Sequence, residues 1–216
     1  MNSSLISGTN TDFYIDDNLP ISLADIKASA KLSSTDTSYD AQILNCIRAV
    51  IEYFEYSTKY YIIKQQREIL LDYFPHQRII DFQDGNVKSI VSVSYKPTDW
   101  TPTAELTVLE LNTDYYFAKE TEASYGISPS AIHLINTFCT HSSPQAVSIK
   151  LQVGNSRTPT VENIPFSLKK ALIDHTTRMF SQNGEDCEEC ETSLTPAIRN
   201  IYSRFKHRAY TNILQD

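Results

Sequence analysis

The sequence predicts an α+β fold in which two N-terminal and two C-terminal helices form a bundle and the middle of the chain forms an antiparallel β-strand domain. Apolar residues recur at helical spacing only before Tyr60 and after Asn163. Between them, β-branched and aromatic residues fall in short runs broken by Pro75, Asp84-Gly85-Asn86 and Pro97. Helices and strands are therefore segregated along the chain, which indicates α+β and not alternating α/β.

The elements follow in order. Asn2 to Pro20 carries Asp12, Asp16 and Asp17 among Ser, Thr and Asn without periodicity, and reads as an arm that orders on a partner. Ser22-Leu-Ala-Asp25 is a capping box, and Leu23, Ile26 and Ala30 continue a short helix to about Leu32. Thr37 and Asp40 repeat the cap signature ahead of Tyr39, Ile43, Ile47, Val50 and Phe54, a long helix ending near Tyr60. Strands are expected near Ile62 to Tyr73, Arg78 to Phe82, Lys88 to Tyr95, Glu105 to Leu109, Tyr115 to Ala118, Ala131 to Ile135 and Ala146 to Val153. In the last of these, Val147, Ile149, Leu151 and Val153 alternate with Ser148, Lys150 and Gln152, as in a half-buried antiparallel strand. Thr98 to Thr103 and Glu120 to Ser130 read as exposed loops.

Helix resumes after Asn163 with Pro165 in its first turn and Leu168, Leu172, His175 and Met179 as its apolar stripe, and Asn183-Gly184 stops it. An acidic loop, Glu185 to Glu191, leads to Thr195-Pro196, a cap and first helical position, and then to Ile198, Ile201, Tyr202 and Phe205. The other side of this helix is basic through Arg199, Arg204, Lys206 and Arg208. The domain reading is an arm (1–20), a helical bundle (21–61 with 163–209), a β-domain (62–154) and a C-terminal tail (210–216).

Composition narrows the function. At 216 residues the chain can bury about 70% of its unfolded surface and needs neither disulfides nor metal to hold a core. Its apolar and charged fractions, 41% and 21%, are those of a globular protein. Apolar runs such as Tyr60 to Ile63 fall far short of the ~20 residues that span a bilayer, so no membrane helix is expected. Met1 to Asn10 lacks a basic start and an apolar signal core, which predicts synthesis in the cytoplasm without secretion. A net charge of −7 argues against a surface that grips phosphate throughout.

Catalytic signatures are missing. The five glycines, at 8, 85, 126, 154 and 184, are too dispersed for a phosphate-cradling loop. The histidines at 76, 133, 141, 175 and 207 never adopt the paired spacing of a zinc-binding helix, and no serine sits in a nucleophile elbow. His175, on an apolar stripe, reads as a partly buried, hydrogen-bonded residue and not as a base. Cys187-Glu-Glu-Cys190 has the spacing of two zinc thiolates. Cys46, Cys139 and the histidines are distant in sequence, and five neighbouring carboxylates disfavour thiolate formation. Asp16-Asp17 and Glu188-Glu189 read as solvated charge. No cofactor is expected.

Read end to end, the chain resembles the head–tail connector (adaptor, or head-completion) proteins of tailed phages. Ser22-Leu23-Ala24-Asp25-Ile26-Lys27, then Asp36, Asp40 and Ala41 to Tyr60, match that family's Ser-Leu-x-x-x-Lys helix, acidic spacer and long helix. Val87 to Tyr95 resembles its small-residue and valine strand, Leu111 to Tyr116 its Asp-Tyr strand start, and Val147 to Gly154 its valine-rich strand ending in glycine. Ile164 to Ala171 is similar to its Val-Pro-x-x-Leu-Lys-x-Ala helix opening, and Thr195 to Ile198 with Tyr202 and Arg204 to its closing Pro-Ala helix. The match covers about Pro20 to Arg208. It departs from the family at Asp84-Gly85-Asn86, where a Pro-Gly turn is usual, and in both terminal arms.

The resemblance implies a non-enzymatic virion protein of the phage neck, a ring of about twelve copies beneath the portal that joins the head to the tail and lets packaged DNA pass without specific binding. Its partners would be the portal protein, tail or neck proteins, and itself. Portal binding is expected at Arg199, Arg204, Lys206, Arg208, Tyr210, Ile213 and Leu214, and a neighbour or tail contact at Phe13, Tyr14 and Ile15. The alternatives are another neck or tail-completion protein, or an enzyme with an unrecognised site.

Overall fold

The computed structural model describes residues 19–82, 84–119, 121–123, 126–128, 130–154, 164–183, 191 and 193–206. They form an α+β protein with four helices and antiparallel sheets among the described residues. Two compact units emerge: Gln65–Gly154 is one, and residues 19–64 with 164–206 are the other.

The second unit is helical. Its elements are α1 (Leu23–Ser29), α2 (Asp40–Thr58), α3 (Phe166–Asn183) and α4 (Pro196–Phe205), and α3 packs against the other three. The capping box of α1 forms as read: the Ser22 hydroxyl accepts from the Asp25 amide while the Asp25 carboxylate accepts from the Ser22 amide. The helix stops before Leu32, however, because Lys31 takes a left-handed conformation (φ 58°) that a right-handed helix cannot continue. In α2 the residues Ile43, Ile47, Val50 and Phe54 are fully buried, as their spacing predicts. Tyr39 is instead the N-cap and largely exposed, without a side-chain cap bond, and the Asp36 carboxylate accepts from the Ser38 amide ahead of it. The Thr37 cap is thus not used. Lys59, also left-handed, closes α2 at Thr58, short of Tyr60.

Two buried charges organise this unit. The Lys27 ammonium donates to the Asp36 carbonyl (2.7 Å) and pairs with the Asp40 carboxylate, tying α1 to the start of α2. Glu55, near the other end of α2, accepts from the amides of Ile62 and Ile63 at 2.7 and 3.0 Å, so the chain leaving the helix has its donors satisfied without a regular ladder.

Among the described residues the first unit holds nine short strands: β1 (Gln65–Leu71), β2 (Ile79–Asp81), β3 (Val87–Tyr95), β4 (Thr107–Leu109), β5 (Tyr115–Ala118), β6 (Thr121–Ala123), β7 (Gly126–Ser128), β8 (Ala131–Leu134) and β9 (Val147–Val153). The sheets run β1-β9-β3-β4, β2-β8-β5 and β6-β7, and every strand pair within them is antiparallel. Glu120 to Ser130 is therefore not a plain loop. Three residues on each side make the β6-β7 hairpin, too short to show alternation.

Strand β9 buries Val147, Ile149, Leu151 and Val153 completely and exposes Lys150. Its partner β3 has apolar residues at intervals of three, Val87, Ile90 and Val93, which regular pleating would put on opposite faces. Register shifts between Val87 and Ser89 and between Ile90 and Ser92 each add one residue to β3, so these three residues pair with Val153, Leu151 and Ile149 on one face. Gly154, at φ 79°, ends β9 and donates to the Asn86 carbonyl.

Candidate functional site

The C-terminal helix is positioned from its first turn. Thr195 Oγ1 accepts from the Ile198 amide at 3.2 Å, and Pro196 occupies the first helical position, where its missing N–H is not needed. Ile198 and Tyr202 are buried and Ile201 and Phe205 half-buried, which turns Asn200 and Ser203 outward with Arg199 and Arg204 on their flanks. Lys206 follows in extended conformation and is exposed. Arg199 and Arg204 are thus presented to solvent on α4, and Lys206 just beyond its end. Beside α4, a groove of about 370 Å³ lies between α1, α3 and α4, edged by Ser29, Asp174, Arg178, Thr195 and Ala197. Arg208, Tyr210, Ile213, Leu214, Phe13, Tyr14 and Ile15 lie outside the described residues, as do Cys187 and Cys190.

The described histidines do not converge. His175 is fully buried, with Nδ1 3.0 Å from the Tyr202 hydroxyl and Tyr53 edge-on to its ring. His133 stacks on Tyr116 at 4.8 Å on the outward side of β8 and β5, and His141 lies edge-on to Trp100. Among the described residues no three His, Cys, Asp or Glu side chains group as a metal site, and no helix is long and apolar enough to cross a membrane. Cys46 is buried and Cys139 exposed, and neither is in a disulfide among the described residues.

Perturbed ionisation has structural causes here. Burial pushes the Asp25 carboxyl up, but the Ser22 amide and hydroxyl and the Lys169 ammonium at 3.1 Å outweigh it and hold the group below the usual aspartate range. The Ser38 amide and hydroxyl do the same for Asp36. Burial raises the Tyr115 phenol, and burial with nearby Asp114, Asp99 and Cys139 raises that of Tyr95. All four shifts move the group further from titrating at neutral pH, the opposite of what a general acid or base requires.

A feature that sequence reading missed is a cavity of about 440 Å³ in the β unit, lined by the Tyr73–Arg78 connection and by Leu134 and Asn136 to Thr140. Phe74 and Phe138, which line it, form a three-ring cluster with Tyr95 at centroid distances of 5.5 to 5.7 Å. Arg78 and His76 are exposed at its edge. The only sequence signal was aromatic residues next to turn residues, at Tyr73-Phe74-Pro75 and Phe138, which also describes an ordinary core strand end.

No protein-family model and no curated protein matches the sequence. Solved structures do match in fold. A chain from the neck of an empty gene transfer agent particle, computed with C6 symmetry, superposes with a TM-score of 0.70 at 11% identity, over 96% of this chain and 98% of that one. Chains from the virion of a native gene transfer agent particle and from the neck of the native particle, computed with C12 symmetry, each give 0.67 at 11% identity over the same shares. The likeness spans the two helical segments and the strands between them, so the fold is shared across nearly the whole length of both chains.

Proposed function

We propose that this chain is a structural subunit of the neck of a phage-like particle, and more finely a head-to-tail adaptor that forms a ring beneath the portal. The observation that carries the reading is the fold shared with gene transfer agent neck chains at a TM-score of 0.70 over 96% of this chain. Independent support comes from the motif order of the sequence, which resembles phage head–tail connectors over about Pro20 to Arg208.

In this reading the chain is a virion protein made in the host cytoplasm. It has no catalytic role and assembles in about twelve copies with portal, tail and neck proteins. The bundle (21–61 with 163–209) and β-domain (62–154) form the ring wall, and packaged DNA passes through it. A net charge of −7 suits such a wall, since a surface poor in Lys and Arg gives the DNA backbone little to adhere to. Arg199, Arg204 and Lys206, with Arg208, Tyr210, Ile213 and Leu214 beyond them, dock on the portal. Exposed basic groups there speed and orient the encounter, while the apolar anchors supply most of the affinity.

The test is negative-stain imaging of the purified protein alone and mixed with portal. Rings that cap the portal are expected. A protein that stays monomeric and leaves the portal bare at every concentration overturns the reading.

A further inference from the structure

The cavity of the β unit has a lining whose charge is unusual for this chain. Tyr73, Phe74, Pro75, Leu134 and Phe138 make it mostly apolar, and its titratable members besides the Tyr73 phenol and the Cys139 thiol are His76 and Arg78. No carboxylate lines it, although acids outnumber bases 26 to 19 in the sequence. Arg78 makes no ion pair among the described residues. Its guanidinium donates only to the Ile135 carbonyl, at 3.4 Å. Its backbone is left-handed (φ 58°), an unfavourable state for arginine that the bonds from its amide to Pro75 and from Leu134 to its carbonyl hold in place. Tyr73 is 58% exposed although it lines an apolar cavity. The cavity has the size of clefts that accept ligands, about 300–1,000 Å³.

The chain supplies a segment of matching chemistry. Residues 12–17 read Asp-Phe-Tyr-Ile-Asp-Asp, three apolar side chains flanked on both sides by carboxylates. The opposite terminus is a poor match, because His207 and Arg208 would bring positive charge to Arg78. Leu19 and Ile21 are packed in the helical core, so Tyr14 is tethered five residues from a fixed point, a reach of about 17 Å.

We infer that this cavity receives the Phe13-Tyr14-Ile15 segment of a neighbouring copy of the chain, with Asp12, Asp16 or Asp17 facing Arg78. The inference rests on the ring reading and names the contact that would link adjacent subunits. Aromatic side chains fill the cavity beside Phe74 and Phe138, and the acids fix the orientation of the arm.

Cys139 lines the cavity and is exposed, which makes a direct test available. In the full chain carrying Cys187→Ser and Cys190→Ser, Tyr14→Cys and a short bismaleimide should yield cross-linked dimers and higher ladders that vanish with Cys139→Ser. Separately, a labelled peptide of residues 9–18 should bind the full chain whose own arm carries Phe13→Ser, Tyr14→Ser and Ile15→Ser. Its affinity should fall roughly two- to five-fold with Arg78→Glu, the range of one exposed charge pair, and further with Tyr73→Ala. Rings in mass photometry without cross-links overturn the inference and leave the ring reading intact. A cross-link confined to single chains, equal peptide binding by the variants, or preferential binding of a 207–216 peptide also overturns it. Peptide binding and cross-linked dimers without any ring uphold the cavity's ligand and remove the ring reading.

Discussion

His175 Nδ1 lies 3.0 Å from the hydroxyl of Tyr202, and both side chains are buried between α3 and α4. The bond joins two helices inside an aromatic cluster in which Tyr202 also meets Phe54 edge-on at 4.8 Å. It gives a buried histidine on an apolar stripe a hydrogen-bond partner. Removing the hydroxyl with Tyr202→Phe keeps the ring packing and takes a partner from a buried imidazole nitrogen. The expected loss is about 1–3 kcal/mol, seen as a lower urea midpoint at unchanged slope.

Glu55 supports the chain where it leaves α2 by accepting from the Ile62 and Ile63 amides through one oxygen. Glu55→Gln keeps a carbonyl oxygen in reach of both donors, whereas Glu55→Ala leaves two buried amides without it. Alanine should destabilise by about 2–4 kcal/mol and glutamine by clearly less, since each unsatisfied buried donor costs about 1–3 kcal/mol. Equal losses for the two variants would mean that charge, and not the amide bonds, is what the site needs.

Much of this architecture is legible in the sequence where one residue type has one job. Thr195-Pro196 fixes the start of α4, and the two-residue alternation of Val147 to Val153 gives both the strand and its buried face. Other features depend on tertiary partners. Lys27 and Glu55 look like solvated charges because their buried acceptor and donors lie elsewhere in the chain. The arrest of α1 by Lys31 involves a residue type with no preference for left-handed backbone. The aromatic cavity joins segments around Tyr73 and Phe138 that periodicity treats separately. The basic helix residues were readable, yet their role was not, because an exposed arginine looks the same on a docking face as on an idle one.

The bulges of β3 make a sharper claim than strand assignment. Deleting Val91, which is 52% exposed, should remove one bulge and leave Ile90 and Val93 in regular alternation on the face they already occupy. Deleting Glu68 from the regularly paired β1 should flip half of that strand's side chains to the wrong face. Circular dichroism melts should show the Val91 deletion folded, with a loss of roughly 1–2 kcal/mol, and the Glu68 deletion severely destabilised.

Asp25 gives a pH signature. Its carboxyl titrates below the ordinary 3.8 in the folded protein, so its contribution to stability is fully present above that value and is lost as pH falls through the folded pKa. Asp25→Asn should therefore melt below the native protein at neutral pH, and the gap should close under strongly acidic conditions. A gap that persists unchanged at low pH would assign the effect to lost capping bonds and not to charge.

The C-terminal segment tests the docking half of the proposed function. Truncation after Arg208 spares Ile198 and Tyr202, which are buried, and Ile201 and Phe205, which pack against the same core, so the melting temperature should not move. It removes Tyr210, Ile213 and Leu214, the apolar residues that follow the helix. If these anchor the protein, attachment to portal-bearing heads should fall by more than tenfold, since two buried anchors at more than about 1 kcal/mol each exceed the ~1.4 kcal/mol of a tenfold change. Arg199→Glu with Arg204→Glu should act differently. Both side chains are exposed on α4, so reversal should slow association and weaken its salt dependence while changing dissociation little. Pull-down at physiological salt measures the first effect, and surface-captured heads at two ionic strengths measure the second. Undiminished attachment of the truncated protein would place the portal contact elsewhere on the subunit and leave the basic side of α4 as a solvated surface.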